Sequence, residues 1–138
     1  MHFFYSYKMI KYTLLFILSI IAALPSVSFA EWKLMSKSVD EISNYIDFKR
    51  IRKQGEYVYF WQLSNYLKPI KKGNSSAKKF IQGDCKKFRY KILSSSYYKE
   101  AMGRGRSNGQ DPVKKDWSYS NPNSVIATSL TAVCKYIR

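Results

Sequence analysis

The sequence predicts an α+β fold: a small antiparallel β-sheet packed against a C-terminal α-helix, with one disulfide. Apolar and aromatic residues alternate with polar residues in several segments between residues 32 and 94, which is the two-residue period of β-strands. A stripe of apolar residues at helical spacing lies near the C-terminus. The sequence also contains two cysteines, Cys85 and Cys134, and an even count in a small exported domain favours a disulfide.

The first 30 residues have the three parts of a secretory signal peptide. Lys8 and Lys11 lie in an N-terminal region without acids, residues 12–24 are almost all apolar, and Ser28-Phe29-Ala30 is a small-x-small cleavage site. The apolar run is shorter than the roughly 20 residues of a membrane-spanning helix. We therefore expect residues 1–30 to be removed, and a mature chain without a membrane span to reach the periplasm, the cell surface or the medium.

Length and charge limit what the mature chain can be. Residues 31–138 are enough for one domain but too few for two hydrophobic cores. The sequence has 24 Lys and Arg against 9 Asp and Glu, a formal net charge of +15, and signal cleavage removes only two of these cations. Such an excess attracts polyanions such as acidic glycans, lipopolysaccharide phosphates or nucleic acid. The alternative is that the charge only keeps an exported protein soluble.

The strands are predicted from the alternation of side chains. In the segment EYVYFWQL, Tyr57 and Trp61 share one face, whereas Val58 and Phe60 share the other. Because both faces are largely apolar, we expect a central strand that is covered on each side. The predicted strands are Trp32–Met35, Ile42–Asp47, Glu56–Leu63, Ala77–Gln82 and Lys86–Ser94, the last two paired around Gly83-Asp84.

The last predicted strand separates cations from apolar side chains. Its residues 88, 90 and 92 are aromatic or apolar, whereas residues 87, 89 and 91 are all basic. The strand therefore has one apolar face and one cationic face, and we predict that the cationic face binds a polyanion. The simpler alternative for each cation is a solvated surface position. The candidate ligand-binding residues are Lys86, Lys87, Arg89, Lys91, Arg104 and Arg106.

Loops and one helix account for the other segments. Lys68-Pro69 is expected to end the central strand region, and KKGNSS to form a loop. Three glycines between residues 101 and 116 predict a long flexible loop, and their spacing does not match the phosphate-binding G-x-G-x-x-G. Near the C-terminus Asn121 is the expected helix N-cap and Pro122 the first helical residue. The apolar stripe of this helix is Ile126, Leu130, Val133 and Ile137.

Cys85 lies among cations in FIQGDCKKFRYKI, and a cysteine there can be a reactive thiol, a metal ligand or half of a disulfide. The single histidine, His2, leaves with the signal peptide, and no C-x-x-C pair is present. We therefore expect neither a metal site nor a histidine-activated thiol, and no cofactor. A disulfide between Cys85 and Cys134 would close a loop of about 50 residues and clamp the helix onto the sheet.

Several short motifs are spread over nearly the whole mature chain. They are Trp32, YID at 45–47, VYFWQLSNYLKP at 58–69, Ser76-Ala77-Lys78, Asp84-Cys85, YY at 97–98, Met102-Gly103-Arg104-Gly105, Trp117, Pro122-Asn123-Ser124 and Val133-Cys134. In order and spacing they resemble the bacterial surface-adhesin protein E family. The resemblance implies an antiparallel sheet with a C-terminal helix, a disulfide between the two matching cysteines, and a non-enzymatic, exported, matrix-binding protein of Gram-negative bacteria.

We therefore expect a binding protein that recognises an extracellular matrix protein or an acidic glycan through its basic face. An enzyme is disfavoured, because no histidine remains for acid–base chemistry and the 9 acids show no signature spacing of paired carboxylates. No small-molecule substrate is implied. The alternative is a soluble periplasmic, envelope-associated protein that has no adhesive ligand.

Overall fold

Residues 30–138 form an antiparallel sheet with an α-helix on one face, and one disulfide joins the two. The computed structural model describes these residues together with Ile10 and Tyr12, so the predicted signal peptide lies almost wholly outside the described residues. The predicted fold class is confirmed. The strands are β1 (Trp32–Lys37), β2 (Ile42–Asp47), β3 (Arg52–Gln54), β4 (Tyr57–Ile70), β5 (Asn74–Asp84), β6 (Arg89–Tyr98), β7 (Ser107–Gln110) and β8 (Ser118–Tyr119), and the helix α1 is Val125–Tyr136.

No helix in the described part of the chain is long and apolar enough to span a membrane.

The sheet is centred on the long pair β4 and β5. The strand order is β1-β2-β4-β5-β6-β7, with β3 also paired to β4 and β8 also paired to β6. β2 and β3 thus share one edge of β4, whereas β7 and β8 share the outer edge of β6. In the central ladder Tyr57 lies opposite Asp84 and Asn65 lies opposite Ser76, so every other residue of both strands faces α1.

The hydrophobic core lies between the sheet and α1. Leu130 and Val133 of the helix are fully buried, as expected from the apolar stripe, and Ile126 and Ile137 pack at its margins. The sheet contributes side chains from three neighbouring strands, and burial of such side chains supplies most of the stability of a small domain. These sheet residues are Ile46 of β2, Val58 and Phe60 of β4, and Ile81 of β5.

Gly83 allows the helix to approach the sheet closely. A Cβ atom at this position would lie 2.5 Å from Leu130 Cδ1 and 3.0 Å from Val58 Cγ2, closer than packed carbon atoms come.

The predicted turn at Gly83-Asp84 is wrong, because β5 runs through both residues and the turn follows it at residues 85–88. Phe88 closes that turn with a φ of +49°.

The helix begins later than the sequence predicts. Ser124 is the N-cap, and its Oγ accepts a hydrogen bond from Ala127 N–H at 3.2 Å. Asn121 and Pro122 lie outside the helix, because Asn123 has a φ of +62° and so interrupts helical backbone directly before Ser124.

The connection between β4 and β5 is shorter than predicted. β4 continues through Lys68-Pro69 to Ile70, and β5 begins at Asn74, so only Lys71–Gly73 of the predicted loop KKGNSS is a turn between strands. The pairing of β4 with β5 is interrupted between Asn65 and Ile70, so the missing N–H of Pro69 costs no hydrogen bond in that ladder. β1 also carries an irregularity, a register shift between Leu34 and Ser36.

The glycine-rich segment is bound to the sheet rather than free. Its first turn, Ala101–Gly103, is a short 3-10 helix on the face opposite α1. Met102 N–H donates to Asn65 Oδ1 at 2.7 Å, and Gly103 N–H donates to Ser76 Oγ at 2.9 Å. Residues 107–110 then form β7 along β6. The predicted long flexible loop is therefore wrong for these residues, because polar side chains of β4 and β5 anchor them.

The predicted disulfide between Cys85 and Cys134 is present, with a Cα–Cα distance of 5.7 Å. Cys85 is the first residue after β5, and Cys134 lies in the last turns of α1. The bond therefore ties the helix to the end of the central strand, next to the close contact between Gly83 and Leu130.

The Cys85→Ala/Cys134→Ala variant should lose about 4 kcal/mol of unfolding free energy, the loop-closure entropy of a cross-link that closes a segment of this length. Urea denaturation of the oxidised wild type and the variant measures the difference. Reduction of the wild type should reproduce the loss. Two free thiols in the non-reduced exported protein, detected by mass spectrometry, would contradict the prediction.

Candidate binding face of the sheet

Aromatic side chains form a row on the face of the sheet opposite α1. Tyr57, Tyr59 and Trp61 of β4 point away from the core residues Val58 and Phe60, because successive residues of a strand face opposite sides. Each of the three is half-buried. The expected cover on both sides is present at Leu63, which shares this face and is fully buried. Tyr57, Tyr59 and Trp61 are covered by neighbouring rings of the same face, because α1 lies on the other side of the sheet.

Phe80 of β5 joins the row. It lies opposite Trp61 in the ladder, and the two rings are stacked with centroids 4.9 Å apart and an interplanar angle of 28°. Tyr59 also lies next to Phe80, with ring centroids 6.2 Å apart. Tyr57 ends the row against Trp117, which precedes β8, at 5.3 Å. The result is two groups of packed rings on one face of the sheet, Tyr59–Phe80–Trp61 and Tyr57–Trp117.

Cations lie against tryptophans on both sides of this row. The guanidinium carbon of Arg50 is 5.8 Å from the ring centroids of both Trp32 and Trp61. On the other side, Arg89 Cζ and Lys91 Nζ of β6 lie 4.3 Å and 4.7 Å from the ring centroid of Trp117. These are cation–π distances, in which the negative face of the ring attracts the cation.

Buried carboxylates neutralise the two arginines. Arg50 forms an ion pair with Asp47, which is fully buried at the end of β2. Arg89 Nε lies 2.9 Å from Oδ2 of the buried Asp84. Both arginines therefore hold tryptophan rings in place, and they are less available to an external anion than an unpaired cation is.

Two lysines on this face have no such partner. Neither Lys78 nor Lys91 forms an ion pair with any described carboxylate. Lys78 Nζ lies 4.8 Å from the ring centroid of Tyr98, and burial, followed by the positive charge of Arg50, lowers the pKa of Lys78. Since Lys91 is opposite Gln82, the two lysines are four ladder positions apart, roughly 13 Å along the strands.

We call this surface the aromatic–cationic face. It combines packed aromatic rings with two lysines that have no carboxylate partner among the described residues. Its residues are Trp32, Arg50, Tyr57, Tyr59, Trp61, Lys78, Phe80, Arg89, Lys91 and Trp117.

The structure divides the six predicted polyanion-binding residues among three places. Arg89 and Lys91 lie together on the aromatic–cationic face, as their alternation predicted. Lys86 and Lys87 are exposed in the turn before β6, because the strand begins only at Arg89. The expected alternation therefore fails at Lys87, and Phe88 is exposed in the turn rather than part of the apolar face.

Arg104 and Arg106 occupy the third of these places. They are exposed and follow the turn Ala101–Gly103, which is held at Ser76. Ser76 and Asp84 are eight residues apart in β5, roughly 26 Å along the strand. These arginines consequently lie at the opposite end of the sheet from Lys86 and Lys87.

Sequence reasoning missed the residues that come from distant parts of the chain, above all Trp32, Arg50, Lys78 and Trp117. One signal was available: the chain has three tryptophans, and all of them lie on this face. The alternation within β4 correctly predicted that Trp61 shares a face of the sheet with Tyr57. No local pattern, however, brings residues 32, 61 and 117 together.

Asp84 stabilises the turn that contains Lys86 and Lys87. Its Oδ1 accepts hydrogen bonds from Lys86 N–H at 3.1 Å and Lys87 N–H at 3.0 Å, and its Oδ2 accepts one from Arg89. Burial alone would raise the pKa of Asp84, but the hydrogen bonds from Lys87 N–H, the Arg89 guanidinium and Lys86 N–H together hold the pKa below its ordinary value.

Comparison with known proteins gives a family match and a fold match. The family model described as "Surface-adhesin protein E" matches residues 32–135. A search of curated proteins finds no significant match. A crystal form II structure of Haemophilus influenzae protein E is 20% identical, with a TM-score of 0.62, and the match covers 84% of this chain and 97% of that one.

Two further structures agree with this match. A selenomethionine form of Haemophilus influenzae protein E is 20% identical, with a TM-score of 0.60 and coverage of 82% of this chain and 92% of that one. Protein E from non-typeable Haemophilus influenzae is 17% identical, with a TM-score of 0.56 and coverage of 82% and 81%. At these identities the structural matches establish similarity of fold.

Asp84→Asn should destabilise the protein at pH 7 by about 2 kcal/mol, because the hydrogen bonds to a charged acceptor are weakened. The folded-state pKa of Asp84 is lowered, so its contribution is complete above the ordinary carboxyl pKa of about 4 and is lost as the pH falls through the folded value. The difference between wild type and variant should therefore shrink below about pH 4.

Urea denaturation between pH 3 and pH 7 measures this, with Asp116→Asn, an exposed carboxylate, as the control. A stability difference that stays constant down to pH 3 would contradict the role given to the ionised Asp84.

Proposed function

The chain belongs to the surface-adhesin protein E family, and we propose that it is an exported, non-enzymatic binding protein that holds acidic glycan chains on its aromatic–cationic face. The observation that carries this proposal is the convergence of all three tryptophans on one face of the sheet, together with two lysines that no carboxylate of residues 30–138 pairs with. The glycan can be free or attached to an extracellular matrix protein.

Acidic glycans suit this surface chemically. A sugar ring has an apolar face of C–H groups that packs on an aromatic ring, and indole rings offer a large, rigid apolar area. The carboxylate or sulfate groups of the chain would meet Lys78 and Lys91, which lie on either side of Phe80 along the ladder. Because the rings are already stacked and the arginines already paired, binding would order few side chains and so cost little conformational entropy.

The other predicted cations extend this surface at its two ends. Lys86 and Lys87 continue beyond Arg89 at one end, and Arg104 and Arg106 lie beyond Ser76 at the other. In the proposal they raise the positive potential along the path of a long chain and speed its capture, and they do not contact the same sugar unit.

Export forms part of the proposal. Residues 1–30 have the composition of a signal peptide. The Cys85–Cys134 bond supports the same destination, because disulfides persist in the oxidising periplasm and outside the cell.

Trp117→Ala should weaken binding to heparin about fivefold, the equivalent of ~1 kcal/mol, without any change in net charge. Lys78→Gln/Lys91→Gln should weaken it further and flatten its salt dependence, since fewer counterions are released. Affinity measured at several salt concentrations tests both, with folding checked by circular dichroism. The matched control is Lys33→Gln/Lys135→Gln, which removes two exposed lysines on the α1 side.

Equal losses in the two double variants, together with unchanged binding by Trp117→Ala, would assign the attraction to net charge alone. The proposed site would then be wrong.

Cell fractionation separates the proposal from the alternative of a periplasmic envelope-associated protein. We expect the protein on the outer surface or in the medium of cells that produce it, where surface proteolysis of intact cells should remove it. Protein that stays soluble in the periplasm and is protected from added protease would contradict an adhesive role.

A further inference from the structure

The end of the β4–β5 hairpin protrudes from the sheet. β2 pairs with β4 only as far as Tyr66, and the pairing of β4 with β5 is interrupted between Asn65 and Ile70. From Tyr66 to Ile70, β4 therefore extends roughly 13 Å beyond its last partner in β2. We call residues 67–73 the hairpin tip, and all of them are exposed. The tip contains no residue of the aromatic–cationic face, so the inference goes beyond the proposed function.

Apolar side chains of the hairpin tip are exposed to solvent. Leu67 is 64% exposed and Ile70 is 38% exposed, and Pro69 between them is exposed as well. Large apolar side chains that lie exposed and close together mark a contact surface for a protein or a membrane. The tip is much smaller than one side of a stable protein–protein interface, which takes about 20–30 residues. Its size therefore favours a membrane.

Lysines alternate with these apolar side chains. Lys68, Lys71 and Lys72 are exposed and form no ion pair with any carboxylate of residues 30–138. No Asp or Glu occurs between residues 57 and 83. Exposed Arg106, directly before β7, adds a cation at the same end of the sheet. Apolar side chains among cations complement an anionic lipid surface, which offers both charged headgroups and a hydrocarbon boundary.

Carboxylates at this end of the sheet lie behind the hairpin tip. Asp40-Glu41 is in the turn before β2, and the first residue of β2 pairs with Tyr66. Asp111 lies further back beside β6, where its N–H donates to Ser95 O at 3.1 Å, and its carboxylate accepts a hydrogen bond from Tyr97. A flat anionic surface that approaches the sheet from this end therefore meets the lysines first.

Hydrogen bonds hold the hairpin tip in its turn. Asn74 is 5% exposed, and its Nδ2 donates to Lys71 O at 3.1 Å. Its Oδ1 accepts a hydrogen bond from Asn108 Nδ2 of β7 at 2.7 Å. The same Nδ2 also lies 3.4 Å from Lys72 O. Because the tip is attached to β7 in this way, little conformational entropy is lost when it binds.

We propose that the hairpin tip binds the surface of a bilayer that contains anionic phospholipids. Its apolar side chains enter the boundary between headgroups and acyl chains, and its lysines contact the phosphate groups. The headgroup region on each side of a bilayer is roughly 5–8 Å deep, so a tip that extends roughly 13 Å can cross it. β4 and β5 then stand upright on the bilayer, and the aromatic–cationic face stays in water.

Co-sedimentation of the exported protein with lipid vesicles tests the proposal. We expect binding to vesicles of two parts phosphatidylcholine and one part phosphatidylglycerol, and at least tenfold weaker binding to phosphatidylcholine alone. Lys68→Gln/Lys71→Gln/Lys72→Gln should weaken binding to the mixed vesicles by about fivefold for each charge removed. The matched control is Lys86→Gln/Lys87→Gln/Lys135→Gln, which removes three exposed lysines outside the tip and should cause a much smaller loss.

Equal losses in the two triple variants would overturn the proposal, because the attraction would then belong to net charge. Equal binding to the two kinds of vesicle, or undetectable binding to both, would overturn it as well.

Leu67→Ser separates insertion into lipid from attraction to any polyanion. Because Leu67 is exposed, the variant should fold as wild type does, yet its affinity for the mixed vesicles should fall about tenfold. Its heparin affinity should not change. The matched control is Leu34→Ser, which alters a leucine of β1 that is 57% exposed and should leave vesicle binding unchanged. Vesicle binding by Leu67→Ser that equals that of wild type would overturn the proposal.

Trp117→Ala shows whether the two surfaces act independently. This variant should lose heparin affinity and keep its affinity for the mixed vesicles, because Trp117 lies outside the hairpin tip. Failure of the glycan site therefore leaves the vesicle results intact. A loss of vesicle binding in Trp117→Ala as large as that in Leu67→Ser would contradict the assignment of lipid binding to the tip.

Discussion

The contact between Gly83 and Leu130 determines how this small domain is organised. A side chain at residue 83 would hold the helix away from β5, whereas glycine lets Leu130 reach the sheet beside Val58 and Phe60. The Cys85–Cys134 bond lies two residues further on and fixes the same approach covalently. Because the helix is held at this end of the sheet, the rest of that face stays open as a groove, and the opposite face is left to its own aromatic side chains.

The two surfaces differ in how their polar groups are paired. On the aromatic–cationic face, buried Asp47 and Asp84 hold Arg50 and Arg89 against tryptophan rings. Charges and rings support one another there, so the half-buried aromatics are ordered by neighbours on the same face. On the α1 side the groove is lined by Asn44 and Gln62, whose Nδ2 and Oε1 atoms have no hydrogen-bond partner in the part of the chain that the structure describes. A groove lined in this way stabilises the protein less than an apolar groove of the same shape would.

The sequence predicts the elements that have a long repeat and misses those that do not. The short candidate Ile42–Asp47 has the observed ends of β2, the other predicted strands overlap β4, β5 and β6, and the apolar stripe identified α1. Strands of two to four residues, such as β3, β7 and β8, are too short to show a period. Ser124 and Asn121 are equally good caps by residue type, and only the backbone of Asn123 decides between them. On the aromatic–cationic face the shared side of Arg89 and Lys91 was predictable, but Trp32 and Trp117 reach this face through tertiary contacts alone.

The two surfaces meet in neighbouring residues of β4, since Trp61 faces one side and Gln62 the other. A single inserted or deleted residue in the paired half of this strand would exchange the faces, placing an indole ring in the groove and an amide among the aromatics. We therefore expect insertions and deletions to be tolerated only where pairing is already interrupted. The stretch between Asn65 and Ile70 is such a place, and this constraint makes the inner half of β4 the segment by which distant sequences are most safely aligned.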